Sequence, residues 1–182
     1  MKLKSVILAA MLLASSVTTA AAAEKVVHTV DGFDRLIIPQ DSPTTLENAY
    51  EDGAEFSGRF TLTGTFMIGC PGCKGMSDDD LPVYFVPDPQ DAKRLPHWRR
   101  HDNAIRISLY PLPQFDAAVL ESRAKISAGQ ADIVMVHASI VIEDFTTTLD
   151  CGTANFEAKF VAFAEESKLQ VAQWGDNYGC GG

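Results

Sequence analysis

Between Phe56 and Ile68 the chain alternates. Phe56, Phe60, Leu62, Phe66 and Ile68 fall in one phase, and Arg59, Thr61, Thr63 and Thr65 in the other. A period of two held this long predicts a long strand with one buried face. Gly64 stands in the apolar phase. There it either lets the strand bend sharply or makes room for a large neighbour. Further strands are predicted at PVYFVPD (82–88), bounded by two prolines, and at AIRISLY (104–110), where Ile105, Ile107 and Leu109 align. The pattern then changes. Residues 113–129 place Phe115, Val119 and Ile126 near helical spacing, with Pro113 suited to a first turn and Gly129 to the exit. Alternation returns in ADIVMVHASIVIEDF, where Val134, Val136, Ala138, Ile140 and Ile142 align, and in FEAKFVAFAEE, where Phe156, Ala158, Phe160 and Ala162 do.

Three strands, a helix and two strands, with a long first strand, make a mainly β fold. The order resembles that of a small five-stranded OB-type Greek-key barrel with one helix between strands 3 and 4. The alternative is a β-sandwich with an appended helix. The flanks are less patterned. Residues 24–55 read as an N-terminal extension with short apolar pieces at Val26-Val27 and Leu36–Ile38. Thr44 and Glu47 have capping-box spacing and Gly53 is a possible stop, so a short helix is expected there. Residues 56–182 read as one β-rich domain. KLQVAQW is a further strand candidate, followed by a glycine-rich tail.

The first residues change the context. Lys2 and Lys4 precede a short apolar run, Val6–Ala14, then alanine-rich sequence up to Glu24. That is the layout of a cleaved signal peptide over residues 1–23, and the run is too short to span a bilayer. A soluble protein of the periplasm or exterior is therefore expected. The net charge is −9, and the leader holds lysines but no acids, so the mature chain is more acidic still. An acidic balance argues against nucleic-acid backbones and anionic membrane surfaces as partners. It leaves a protein or small-molecule ligand open, as it does the oligomeric state.

Export also changes what cysteines mean. There are four: Cys70, Cys73, Cys151 and Cys180. In an oxidising compartment an even number is expected to pair. Cys70-Pro71-Gly72-Cys73 has thioredoxin-like spacing, but Gly75 and Pro82 leave little room for the helix that would lower a thiol pKa. Asp78, Asp79 and Asp80 would raise it. The expectation is structural cross-pairing: one of Cys70 or Cys73 to Cys151, the other to Cys180. In an OB barrel the loops carrying these residues flank one ligand face, and long closed loops gain most. Local pairing, Cys70–Cys73 with Cys151–Cys180, is the runner-up. A zinc site is disfavoured because only one pair is close.

Other chemistry is thin. LPHWRRHDN sets His97 and His101 four apart around Trp98, Arg99 and Arg100. Preceded by Pro96 and without a following Glu, it reads as a solvated loop between strands 2 and 3, with Trp98 and the arginines able to dock a ligand. The aspartate run lacks calcium-loop spacing, and His137 reads as a half-exposed sheet residue. No nucleophile, base and orienter stand at known spacing. No cofactor or metal is expected. The reading is a non-catalytic binding or assembly module of the cell envelope. The alternative is an enzyme, of thiol–disulfide type at Cys70 and Cys73 or unrecognised; a metal-binding protein is a minority reading.

Overall fold

The structure, a computed structural model, describes residues 26–29, 35–39, 45–50, 53–70, 72–99, 104–150, 152–164 and 170–173. Its strands are β1 (Val26–Thr29), β2 (Arg35–Ile38), β3 (Thr45–Tyr50), β4 (Gly53–Gly69), β5 (Val83–Pro87), β6 (His97–Trp98), β7 (Ile107–Tyr110), β8 (Ile133–Asp150), β9 (Thr153–Phe163) and β10 (Gln170–Gln173). Two helices join them, the single turn α1 (Pro89–Ala92) and α2 (Ala117–Ser127).

The alternation read in the sequence becomes β4. Phe56, Phe60, Leu62, Phe66 and Ile68 are all buried, while the intervening threonines are half-buried or exposed. β4 pairs antiparallel with β8 along nearly its whole length, from Gly53↔Thr148 to Gly69↔Ile133. It also pairs with β5, β5 with β7, β7 in parallel with β9, and β9 with β8. The pairings of these five strands therefore run round a closed circuit, with α2 following β7 and preceding β8 in the chain. β3 extends this sheet beside β4, and β10 beside β8. No described helix is long and apolar enough to cross a membrane.

The bend lies elsewhere than expected. Gly64 stays paired on both sides, with Pro87 and Ala138. A Cβ there would sit 2.3 Å from the Val86 carbonyl and 2.8 Å from the Phe85 ring, so this glycine serves close packing. The register breaks instead between Phe56 and Arg59, where Gly58 has φ 127°. On the β9 side of β8 a second break falls between Glu143 and Thr146, at Asp144 with φ 52°. Two nearly facing bulges curl the long β4–β8 ribbon.

α2 starts four residues after Pro113. Asp116 caps it, its carboxylate accepting from the Val119 amide at 3.0 Å. The helix ends as read, with Gly129 at φ 72°. It lays Val119, Ser122 and Ile126 against the core. At the centre the Phe66 ring meets Phe85 (5.0 Å), Phe115 (5.1 Å) and Phe163 (5.9 Å).

Two expectations fail. The short helix predicted from Thr44 and Glu47 is the strand β3, because pairing with β4 (Thr45↔Ser57 to Tyr50↔Gly53) supplies its backbone partners. Thr44 lies outside the described residues. The segment read as a solvated loop contains β6, which pairs with β2 (Leu36↔Trp98) in a three-stranded sheet β1-β2-β6. Leu36, Ile38 and Trp98 join the same buried cluster as β4 and β8.

Candidate ligand cleft and the cysteine turn

Cys70 and Cys73 are bonded to each other, with Cα atoms 5.1 Å apart. The expected cross-pairing with Cys151 and Cys180 is thereby overturned for both of them; Cys151 and Cys180 themselves lie outside the described residues. The reason is register. Gly69↔Ile133 sets the cysteine turn beside the first residue of β8, whereas Cys151 follows its last, Asp150. Roughly 50 Å of strand, at about 3.3 Å per residue, separates Ile133 from Asp150, the described residue before Cys151, against the few ångströms a disulfide spans.

The turn is closed by its own backbone: the Cys73 amide donates to the Cys70 carbonyl (2.9 Å), and Gly75 donates to Ile126 at the end of α2 (3.0 Å). Cys73 is fully buried and Cys70 half-buried. Its helix neighbour is thus a C-terminus, whose negative dipole end disfavours a thiolate.

The other predicted residues do not gather into a site. Trp98 is fully buried, and its indole Nε1 donates to Thr147 Oγ1 at 2.7 Å. It is a core side chain, because β6 turns its face inward beside Leu36. His97 is half-buried, with Nδ1 donating to the Leu95 carbonyl (3.1 Å). Arg99 is exposed; Arg100 and His101 lie outside the described residues. Asp78 opens a short 3-10 turn and pairs with Arg123 of α2 (3.0 Å). His137 is half-exposed beside Asp88 (3.2 Å).

What the fold does assemble is an open cleft of about 640 Å³ on the outer side of the circuit. Its walls are Tyr84 of β5, Ala104, Arg106 and Ser108 in and before β7, Thr148 of β8, and Thr153–Glu157 of β9. The register explains the set. Tyr84 lies opposite Ser108, and Ser108 opposite Glu157. These three are outward residues of strands whose other phase is buried: Val83, Phe85, Ile107, Leu109, Phe156 and Ala158. Arg106 and Glu157 are exposed, and among the described residues neither has an ion-pair partner. The sequence held a signal for them, the outward phase of PVYFVPD and AIRISLY. That phase acquires meaning only when the strands are placed side by side.

A smaller pocket of about 290 Å³ lies between Glu55, Phe56, Ser57, Tyr110, Asp144 and Thr146. Glu157 faces Thr146 across β8–β9, and Thr146 faces Glu55 across β4–β8, so an outward row of residues links the two hollows. Partial burial, and then the negative charges of Asp144, Glu157 and Glu55, push the Tyr110 phenol above its usual range. The end of the row is thus electronegative. Next to it, Glu143 is held by Arg59 and by Lys159 (3.3 Å). These hydrogen bonds lower its carboxyl below the usual range. Among the described residues no group of acids, histidines and cysteines is placed to hold a metal ion.

No protein-family model, curated protein or solved structure matches this chain.

Proposed function

We propose that this chain is an exported, non-catalytic binding module of the cell envelope, built on an OB-type barrel, with its ligand in the Tyr84–Arg106–Glu157 cleft. The closed circuit of five strand pairings, the parallel β7–β9 pair and the position of α2 support the barrel. Export rests on the signal-like residues 1–23. The observation that carries the binding reading is the cleft. Its volume suits a small ligand, and it presents hydroxyls, an amide, a phenol ring and two opposite charges that no described residue pairs. Such a set orients a ligand. A thiol–disulfide role has the Cys70–Cys73 bond in its favour, but burial of Cys73 and the helix C-terminus beside it weigh against that role.

The test is thermal denaturation against a panel of amino acids, peptides and saccharides, with each ligand recovered and checked for chemical change. A ligand at a hundred times its Kd adds about 2.7 kcal/mol of stability. The expected result is a stabilising ligand recovered intact, with the effect absent in Arg106→Glu/Glu157→Lys. Turnover of the ligand, or catalysed reduction of insulin disulfides dependent on Cys70, would replace this reading by an enzyme.

A further inference from the structure

The cleft exists because two paired strands start out of step. β9 pairs with β8 from Thr153 onward (Asp150↔Thr153, Leu149↔Ala154, Thr148↔Asn155). Its pairing with β7 begins only at Ile107↔Phe156. Ala104 and Arg106 run on below β7 but form no strand with it. Among the described residues, therefore, Thr153–Asn155 have a strand on one side and an open cleft on the other. A free edge carries backbone donors and acceptors that an added strand would satisfy.

Charge says what kind of strand. Arg106 lies two residues before Ser108, the register partner of Glu157, so a cation and an anion that no described residue pairs stand at successive outward positions along the cleft. The anionic end is reinforced by Glu55 and Asp144 around Tyr110. A polyanion is repelled there, and a neutral ligand leaves both charges unanswered.

We infer that the cleft takes an extended peptide segment of a partner protein, which adds as a strand to the β9 edge at Thr153–Asn155. The segment sets an acidic side chain toward Arg106 and a basic one toward Glu157. This rests on the binding-module reading and names the ligand class for the same site. Main-chain hydrogen bonds to the β9 edge supply affinity, and the two charges fix register and direction.

The test selects a random octapeptide library on the full purified chain and measures binding of the winners by fluorescence anisotropy. Peptides carrying both charges are expected. Glu157→Lys, checked for folding by circular dichroism, should weaken them at least tenfold, and exchange of the peptide's basic residue for Glu should restore binding to that variant. Methylating alternate backbone nitrogens should abolish binding in one phase and spare it in the other, as only a strand requires. Winners indifferent to Glu157→Lys, or tolerance of methylation in both phases, overturn the inference. Failure of the library to yield winners does the same. If chitotetraose instead stabilises the chain and Tyr84→Ala removes the effect, strand addition falls while the binding module stands. If neither probe binds, both fall.

Discussion

Two connections lie at opposite ends of β8 and are built differently. Residues 70–82, between β4 and β5, leave Gly69 opposite Ile133. There the Gly69 amide donates to the Pro82 carbonyl (2.8 Å), the cysteines bond each other, and Cys73, Leu81 and Ile126 are buried. At the far end, the β8–β9 hairpin raises Thr148 and Thr153–Asn155 along an open cleft. At one end several backbone amides and buried apolar side chains find partners within the chain. Among the described residues, the other end carries an edge without a strand partner and charges without counter-ions. The residues that look most chemical in the sequence, two cysteines three apart, belong to the closed end. The residues left able to act on something else are an unremarked tyrosine, arginine and glutamate at the open one.

The largest effect should come from the apolar centre on the closed side. Phe66→Ala removes a fully buried ring with three aromatic neighbours. A cost of about 3–5 kcal/mol is expected, a large part of a typical domain's stability, read as a lower urea midpoint. A loss below about 1 kcal/mol would mean that this core is loosely packed.

Next is Trp98, which distinguishes a core residue from a ligand contact. Trp98→Phe keeps the bulk but strands the buried Thr147 hydroxyl, at about 1–3 kcal/mol. Adding Thr147→Val should recover part of this. Arg99→Ala, on an exposed neighbour, should stay within about 0.5 kcal/mol. Equal and small effects at both positions would return Trp98 to the surface.

That contrast shows where sequence reading reached and where it stopped. β4 was legible because its five apolar positions keep one phase. α2 was legible from its apolar spacing and Gly129, although its cap is Asp116 rather than a turn opened by Pro113. Trp98 was not, because LPHWRRHDN is polar around it and only pairing with β2 turns the indole inward. β3 was not, because TLENAY carries helix-start spacing that the neighbouring β4 overrides. The cleft was least legible of all. It is made by a stagger between β7 and β9, and no single segment encodes a stagger.

The cysteines come third. Replacing Cys70 and Cys73 by alanine opens a ring of a few residues without burying a hydroxyl at Cys73, so the loss should not exceed roughly 2 kcal/mol on loop-entropy grounds. Non-reducing peptide mapping of the monomer should show a Cys70–Cys73 link. Its absence, or either cysteine joined to another partner, would overturn the closed turn.

The smallest effect separates two glutamates that differ only in company. Glu143 is held by Arg59 and Lys159, whereas Glu157, on the adjoining strand, lines the cleft with no ion pair among the described residues. The hydrogen bond from Arg59, then that from Lys159, lowers the Glu143 carboxyl below its ordinary range. A depressed carboxyl contributes stability that is fully present above its unfolded value and is lost as pH falls through the folded one. Glu143→Gln should therefore lower Tm slightly at neutral pH. The gap to wild type should close on acidification below the ordinary carboxylate range, and high salt should shrink it, since the partners are exposed. Glu157→Gln should leave Tm nearly level, because no described residue pairs with its exposed carboxylate. Paired thermal scans of the two variants from neutral to acid pH make the comparison. A Glu157→Gln loss as large as that of Glu143→Gln would show that the cleft carboxylate already has a partner within the chain, and the cleft would lose its claim to an outside ligand.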